Sequence, residues 1–83
     1  MIKKRIVDCM VEVFGVPVAS INETTSQKSL EEWDSLHHLN LIVELEMVFD
    51  VSFEPEEIAQ MITFSEVLAM IERKMNNAAV QPE

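Results

Sequence analysis

Ser35 stands in the run Trp33-Asp34-Ser35-Leu36, where a polar stretch gives way to a long apolar one. A serine hydroxyl does chemistry in two ways: as an activated nucleophile, or as the acceptor of a covalent modification. Nucleophilic use needs a base held against the hydroxyl, usually histidine, and an oxyanion hole. His37 and His38 put imidazoles nearby. His37, two residues on, turns to a different side of a helix, whereas His38, three residues on, can approach the hydroxyl. But the chain holds one glycine, no Gly-rich oxyanion loop and no Gly-x-Ser-x-Gly elbow. The chain is therefore expected not to be an enzyme. Modification needs only an exposed hydroxyl, and at a helix start an anionic group is favoured by the positive end of the dipole. The plainer alternative is that Ser35 merely opens a helix behind the cap residue Asp34.

Other reactive residues support no site. Adjacent residues on a helix diverge by about 100°, so His37 and His38 cannot chelate one ion. Glu54, Glu56 and Glu57 lack the spacing and the glycine of an EF-hand loop and read as a solvated acidic face. Cys9 is alone, which excludes a disulfide within the chain, and it falls in an apolar stripe as a small core residue. A lone cysteine fits a reducing cytoplasm.

The elements that must position Ser35 follow from periodicity. Ile2, Ile6, Cys9, Met10 and Val13 recur at helical spacing and predict a first helix from about Ile2 to Phe14. Gly15 stops it and Pro17 prevents its restart. Residues 16–33 read as a long loop, pinned to the core by Val16, Val18, Ile21 and Leu30, with Ser20 and Glu23 able to cap one short turn. A second helix runs from Asp34 or Ser35 to near Asp50. Leu41, Leu45, Val48 and Phe49 form its core stripe, flanked by Ile42 and His38. The opposite face carries Leu36, Asn40, Val43 and Met47, three of them apolar where solvent demands polar groups. Such a helix is either fully buried or uses its second face for partners, and full burial is hard in so small a domain. Pro55 suits the first turn of a short third helix bearing Ile58, Met61 and Ile62. Thr63-Phe64-Ser65-Glu66 opens a last helix with Val67, Leu68, Met70 and Ile71 apolar, and Arg73 and Lys74 complement its C-terminal dipole. Residues 76–83 read as a flexible tail behind a domain of residues 1–75. The expected fold is all-α: a small four-helix bundle with a long loop between helices 1 and 2 and a short third helix.

The 83 residues suffice for one domain, and 48% apolar content for one modest core. A formal charge of −9 argues against nucleic acid and against anionic membranes as partners. It favours basic protein partners, reached by electrostatic steering. No apolar run is long enough to span a membrane, and no signal-peptide pattern follows Met1. A monomer is expected.

From Ile6 to Lys74 the chain resembles the acyl carrier protein family. The matching features are the Gly15-Val16 helix stop, Asp34-Ser35-Leu36, core positions Leu41, Leu45, Phe49 and Phe53, the acidic third helix, and Thr63 before the last helix. The resemblance implies that Ser35, flanked by Asp34 and Leu36, carries 4′-phosphopantetheine in phosphodiester linkage, its thiol holding an acyl group as a thioester. It implies as partners a phosphopantetheinyl transferase, with coenzyme A and magnesium acting in that enzyme, and acyl ligase, acyltransferase or synthase enzymes. Leu36, His37, Asn40, Val43, Glu46, Met47, Glu56 and Glu57 are then the partner-facing residues. Leu45, Phe49, Ile58, Met61 and Ile62 would line an acyl chain, if the core is not simply filled. His37 and Asn40 stand where fatty-acid-synthesis carriers place acids, and Glu31-Glu32-Trp33 replaces the usual Asp-Leu-Gly. These departures imply a dedicated carrier in a fatty acid, polyketide or related pathway. Trp33 could serve recognition or pack the loop onto the bundle. The rival readings are an aminoacyl or peptidyl carrier, and an unmodified helical adaptor binding through Leu36, Val43 and Met47.

Overall fold

A computed structural model describes residues 2–80. Four helices follow in order: α1 (Ile2–Phe14), α2 (Ser35–Phe49), α3 (Pro55–Gln60) and α4 (Phe64–Val80), with a 3-10 turn at Val18–Ser20. This is the all-α, four-helix arrangement that the periodicity predicts, with its long loop and short third helix.

The core gathers one stripe from each long helix. Ile6 and Met10 of α1, Leu41 and Leu45 of α2, and Val67 and Ile71 of α4 are all fully buried. On α1 the stripe ends in Phe14, four residues after Met10, while Ile2 and Val13 are only half-buried. Gly15 then takes φ 67° and donates its N–H to Val11 O at 2.9 Å, the left-handed stop that glycine adopts at no steric cost. Asp50, at φ 55°, ends α2 in the same conformation. Arg5 ties these two helices together: its guanidinium donates to Val48 O at 2.9 Å and lies 4.6 Å from the Phe49 ring centroid. It thereby satisfies an orphan carbonyl at the negative end of α2.

The long loop is fixed by its own polar side chains. Asn22 Oδ1 accepts the Thr24 N–H at 2.8 Å, and Thr25 Oγ1 accepts the Asn22 N–H at 2.9 Å. Thr25 O accepts the Phe64 N–H at 2.8 Å, and Gln27 donates its N–H to Ile62 O at 2.9 Å, which stitches the loop to the start of α4. Val16 and Ile21 are buried and Leu30 half-buried, but Val18 is exposed, contrary to its expected pinning role. The short turn falls at Val18–Ser20 with Pro17 as its N-cap residue, so Ser20 ends the turn instead of capping its start.

Thr63 Oγ1 accepts the Glu66 N–H at 3.1 Å and opens α4 as the capping pattern predicts. The helix continues to Val80, so residues 76–80 of the expected tail are helical; residues 81–83 lie outside the described residues. No glycine or proline interrupts the chain between Phe64 and Pro82, which removes any local reason to stop at 75. Arg73 and Lys74 therefore sit within the helix instead of at its end, and Lys74 Nζ meets Glu57 of α3 at 2.8 Å.

Two faces of α2 differ sharply. Leu45 is fully buried, whereas Met47, two residues on, is 71% exposed. Leu45→Ala should lower unfolding free energy by about 2–5 kcal/mol, and Met47→Gln by no more than about 0.5 kcal/mol. Urea unfolding followed by circular dichroism measures both; equal losses would place Met47 in the core.

Candidate functional site

Ser35 is the first residue of α2 and is exposed. The turn before it is set by Asp34, which has extended backbone and caps the helix by accepting the His37 N–H at 2.9 Å. The same carboxylate oxygen lies 2.8 Å from His37 Nδ1. These contacts hold the Asp34 carboxyl below the usual range, the His37 backbone N–H contributing most and its imidazole next. His37 is thus half-buried, its ring folded back toward Asp34 and edge-on to Phe14 at 6.4 Å.

Inside the turn sits Trp33, 1% exposed and packed against Phe14 with ring centroids 5.4 Å apart. Its indole Nε1–H donates to His38 Nδ1 at 2.9 Å, and His38 Nε2 lies 2.9 Å from Ile58 O of α3. The loop-packing role for Trp33 is the one the structure displays. Both histidines are therefore committed elsewhere: His37 to Asp34, His38 to Trp33 and Ile58. Among the described residues neither is hydrogen-bonded to the Ser35 hydroxyl, so no base activates it for attack. Nor does any group of three His, Cys, Asp or Glu among them lie close enough to hold a metal ion.

What remains is an accessible hydroxyl beside unspent donors. Of the four N–H groups that open α2, that of His37 goes to Asp34 Oδ1 and that of His38 to Asp34 O. Those of Ser35 and Leu36 make no hydrogen bond among the described residues. A phosphate ester on Ser35 would meet free backbone donors and the positive end of the dipole.

Residues 4–71 match a family model described as the phosphopantetheine attachment site. The chain belongs to that family. It is also 33% identical over 58 residues to an acyl carrier protein of an Exiguobacterium species, covering 66% of this chain and 73% of that one. Its fold matches the solution structure of the holo acyl carrier protein of Geobacter metallireducens at TM-score 0.84 and 22% identity, over 98% of this chain and 93% of that one. Family membership makes this phosphopantetheine protein a carrier of acyl groups, not a catalyst, with covalent 4′-phosphopantetheine as its prosthetic group.

The expected partner-facing residues separate into two sets. Leu36, Asn40, Val43 and Met47 share an exposed face of α2, and Glu56 is exposed on α3. Leu39, 56% exposed, joins them; its spacing from Leu36 and Val43 was the signal available in the sequence. Glu46 and Glu57 are engaged within the protein. Glu46 Oε2 accepts the Phe53 N–H at 2.9 Å, holding the link into α3. Glu57 Oε1 accepts the Glu54 N–H at 2.8 Å and pairs with Lys74. Of the residues expected to line an acyl chain, Leu45 and Met61 are 0% exposed, so they border no water-sized void; Ile62 is exposed. A cleft of about 550 Å³ opens elsewhere, among Lys3, Val7, Ile21, Asn22, Glu23, Thr24 and Phe64.

Because the native carboxyl of Asp34 titrates below its ordinary value, its cap stabilises α2 fully above that ordinary value. The contribution is lost as pH falls through the lowered one. Asp34→Asn keeps a cap acceptor but removes the charge. Amide exchange at the start of α2, followed by NMR from roughly pH 5 to pH 2.5, should show protection falling in acid in the native protein. In the variant the fall should be shallower. Identical profiles would mean that the charge of Asp34 does not support the cap.

Proposed function

We propose that this protein holds acyl intermediates as thioesters on a 4′-phosphopantetheine arm attached through Ser35, and presents them to partner enzymes through the outer face of α2. The observation that carries the reading is the state of the α2 N-terminus. Ser35 is exposed, its two neighbouring imidazoles are committed to structure, and the N–H groups of Ser35 and Leu36 are free. The whole arrangement lies inside the matched region 4–71.

When bound, the group supplies a thiol nucleophile on a flexible arm, which the polypeptide lacks: Cys9 is buried, and burial first, then the charges of Glu44 and Asp8, pushes its thiol up to about 11. The chain's own residues do the rest. Asp34 fixes the helix start so that the Ser35 hydroxyl projects outward. The N–H groups of Ser35 and Leu36, unpaired among the described residues, would be available to the ester phosphate. Leu36, Leu39, Val43 and Met47 offer an apolar contact surface, and the formal charge of −9 draws basic partners toward it.

The partners we assign are a phosphopantetheinyl transferase and acyl ligase, acyltransferase or synthase enzymes. With His37 turned to Asp34 and Asn40 neutral, the exposed α2 face has less charge than a housekeeping fatty acid carrier would present. That favours a carrier dedicated to one pathway.

Incubated with coenzyme A and a broad-specificity phosphopantetheinyl transferase, the protein should gain one phosphopantetheine by intact mass. Ser35→Ala should gain none while keeping its helical circular dichroism. An adduct on Ser20, Ser26 or Ser29, or on the Ser35→Ala protein, would overturn the assignment.

A further inference from the structure

His38 is 7% exposed and, from the first turn of α2, its ring contacts the end of the loop and α3. An indole N–H is only a donor, so the His38 Nδ1 that receives it must present its lone pair. The other ring nitrogen then carries the proton and donates to Ile58 O at 2.9 Å. Both contacts are satisfied by a single state of the ring, the neutral Nε2–H tautomer. Its backbone N–H, bound to Asp34 O at 2.8 Å, sits in the first turn of α2. One side chain therefore fixes the end of the loop two residues before Ser35, the start of α2, and α3.

The bond to α3 matters because α3 is poorly held. Within Pro55–Gln60 no residue is fully buried. Its position rests on the flanking Phe53 and Met61, on the Glu57–Lys74 pair, and on the His38–Ile58 bond. Glu46 of α2 holds the link before α3 through the Phe53 N–H, and Ile58 packs against the core. Among the described residues the His38–Ile58 contact is the hydrogen bond that ties α3 itself to the helix that begins at Ser35. A leucine at position 38 would fill similar space with no polar group to satisfy. A buried, fully satisfied polar chain costs desolvation but selects one arrangement of the parts it joins.

We propose that His38 is a positioning residue for the reaction at Ser35: through Trp33 and Ile58 it holds the attachment turn and α3 in register, so that a partner meets α2 and α3 as one surface. This rests on the reading of Ser35 as the attachment site. Its role is in recognition, since the ring does not touch the hydroxyl. Loss of His38 should therefore raise KM and leave kcat little changed.

The test uses the full chain as substrate for a phosphopantetheinyl transferase with coenzyme A saturating. His38→Leu keeps bulk and removes both bonds; His38→Gln can accept from the indole and donate to the carbonyl. His38→Leu should keep its helical circular dichroism, shift the single indole N–H signal in the ¹H–¹⁵N spectrum, and raise KM on the order of tenfold, the scale of one lost hydrogen bond. His38→Gln should restore most of that KM. Imidazole ¹⁵N shifts of the native protein should show Nδ1 unprotonated. Should His38→Leu fail to fold, Trp33→Phe decides: it keeps an aromatic ring beside Phe14, removes the N–H, and should raise KM in the same direction while its helical circular dichroism is retained. An unchanged KM in the folded variant, no rescue by glutamine, or a protonated Nδ1 would overturn the role of His38 alone. Transfer in the native protein to a residue other than Ser35 would overturn the attachment site itself, which mass mapping detects independently of the indole signal.

Discussion

An indole N–H buried in a protein core must find an acceptor, and in this small bundle an imidazole supplies it. Trp33 is 1% exposed, and His38 takes its proton at 2.9 Å. That bond places a loop residue under the start of α2, with Asp34 emerging at the cap position and Ser35 pointing away from the core. The same imidazole reaches α3. Phe14, the last residue of α1, closes the other side of the indole. The geometry of the turn before Ser35 thus depends on how one aromatic ring is buried, and the exposed serine is where that packing ends.

The second constraint is size. A chain of 83 residues without disulfides has one core to build, and it spends one stripe of α2 on it. The remaining surface of α2 cannot also be covered. Leu36, Leu39, Val43 and Met47 stay 55–71% exposed, a group of large apolar side chains that a folded monomer does not need. Their cost in solubility is offset by the chain's formal charge of −9. As the partner surface proposed above, such a face offers broad apolar contact for binding and long-range charge for encounter.

Much of this was legible in the residues, and the exceptions have physical reasons. The extents of α1 and α2, the Gly15 stop, the Asp34 cap and the two faces of α2 all depend on neighbours within a turn or two, and periodicity reads such neighbours well. Ser35 stood out for the same reason. Contacts between distant segments were not legible. The pairing of Glu57 with Lys74 requires knowing how helices cross, as does the bond from His38 to Ile58. That of Glu46 with the Phe53 N–H requires knowing how the chain turns back after Asp50. Trp33 and His38 lie five residues apart across a helix boundary, off any helical ladder, so no spacing rule joins them. The length of α4 was missed because residues 76–80 lack an apolar stripe. Nothing breaks the helix there either, and continuity prevailed over pattern.

The arm proposed for Ser35 would set its phosphate against the open N-terminus of α2. Amide ¹H–¹⁵N shifts of the protein before and after enzymatic loading test it most directly. The largest shifts are expected at the N–H groups of Ser35 and Leu36, the two that the Asp34 cap leaves unpaired among the described residues, with the core amides of α1 and α4 nearly unmoved. Shifts centred on another segment, or spread evenly through the bundle, would contradict it.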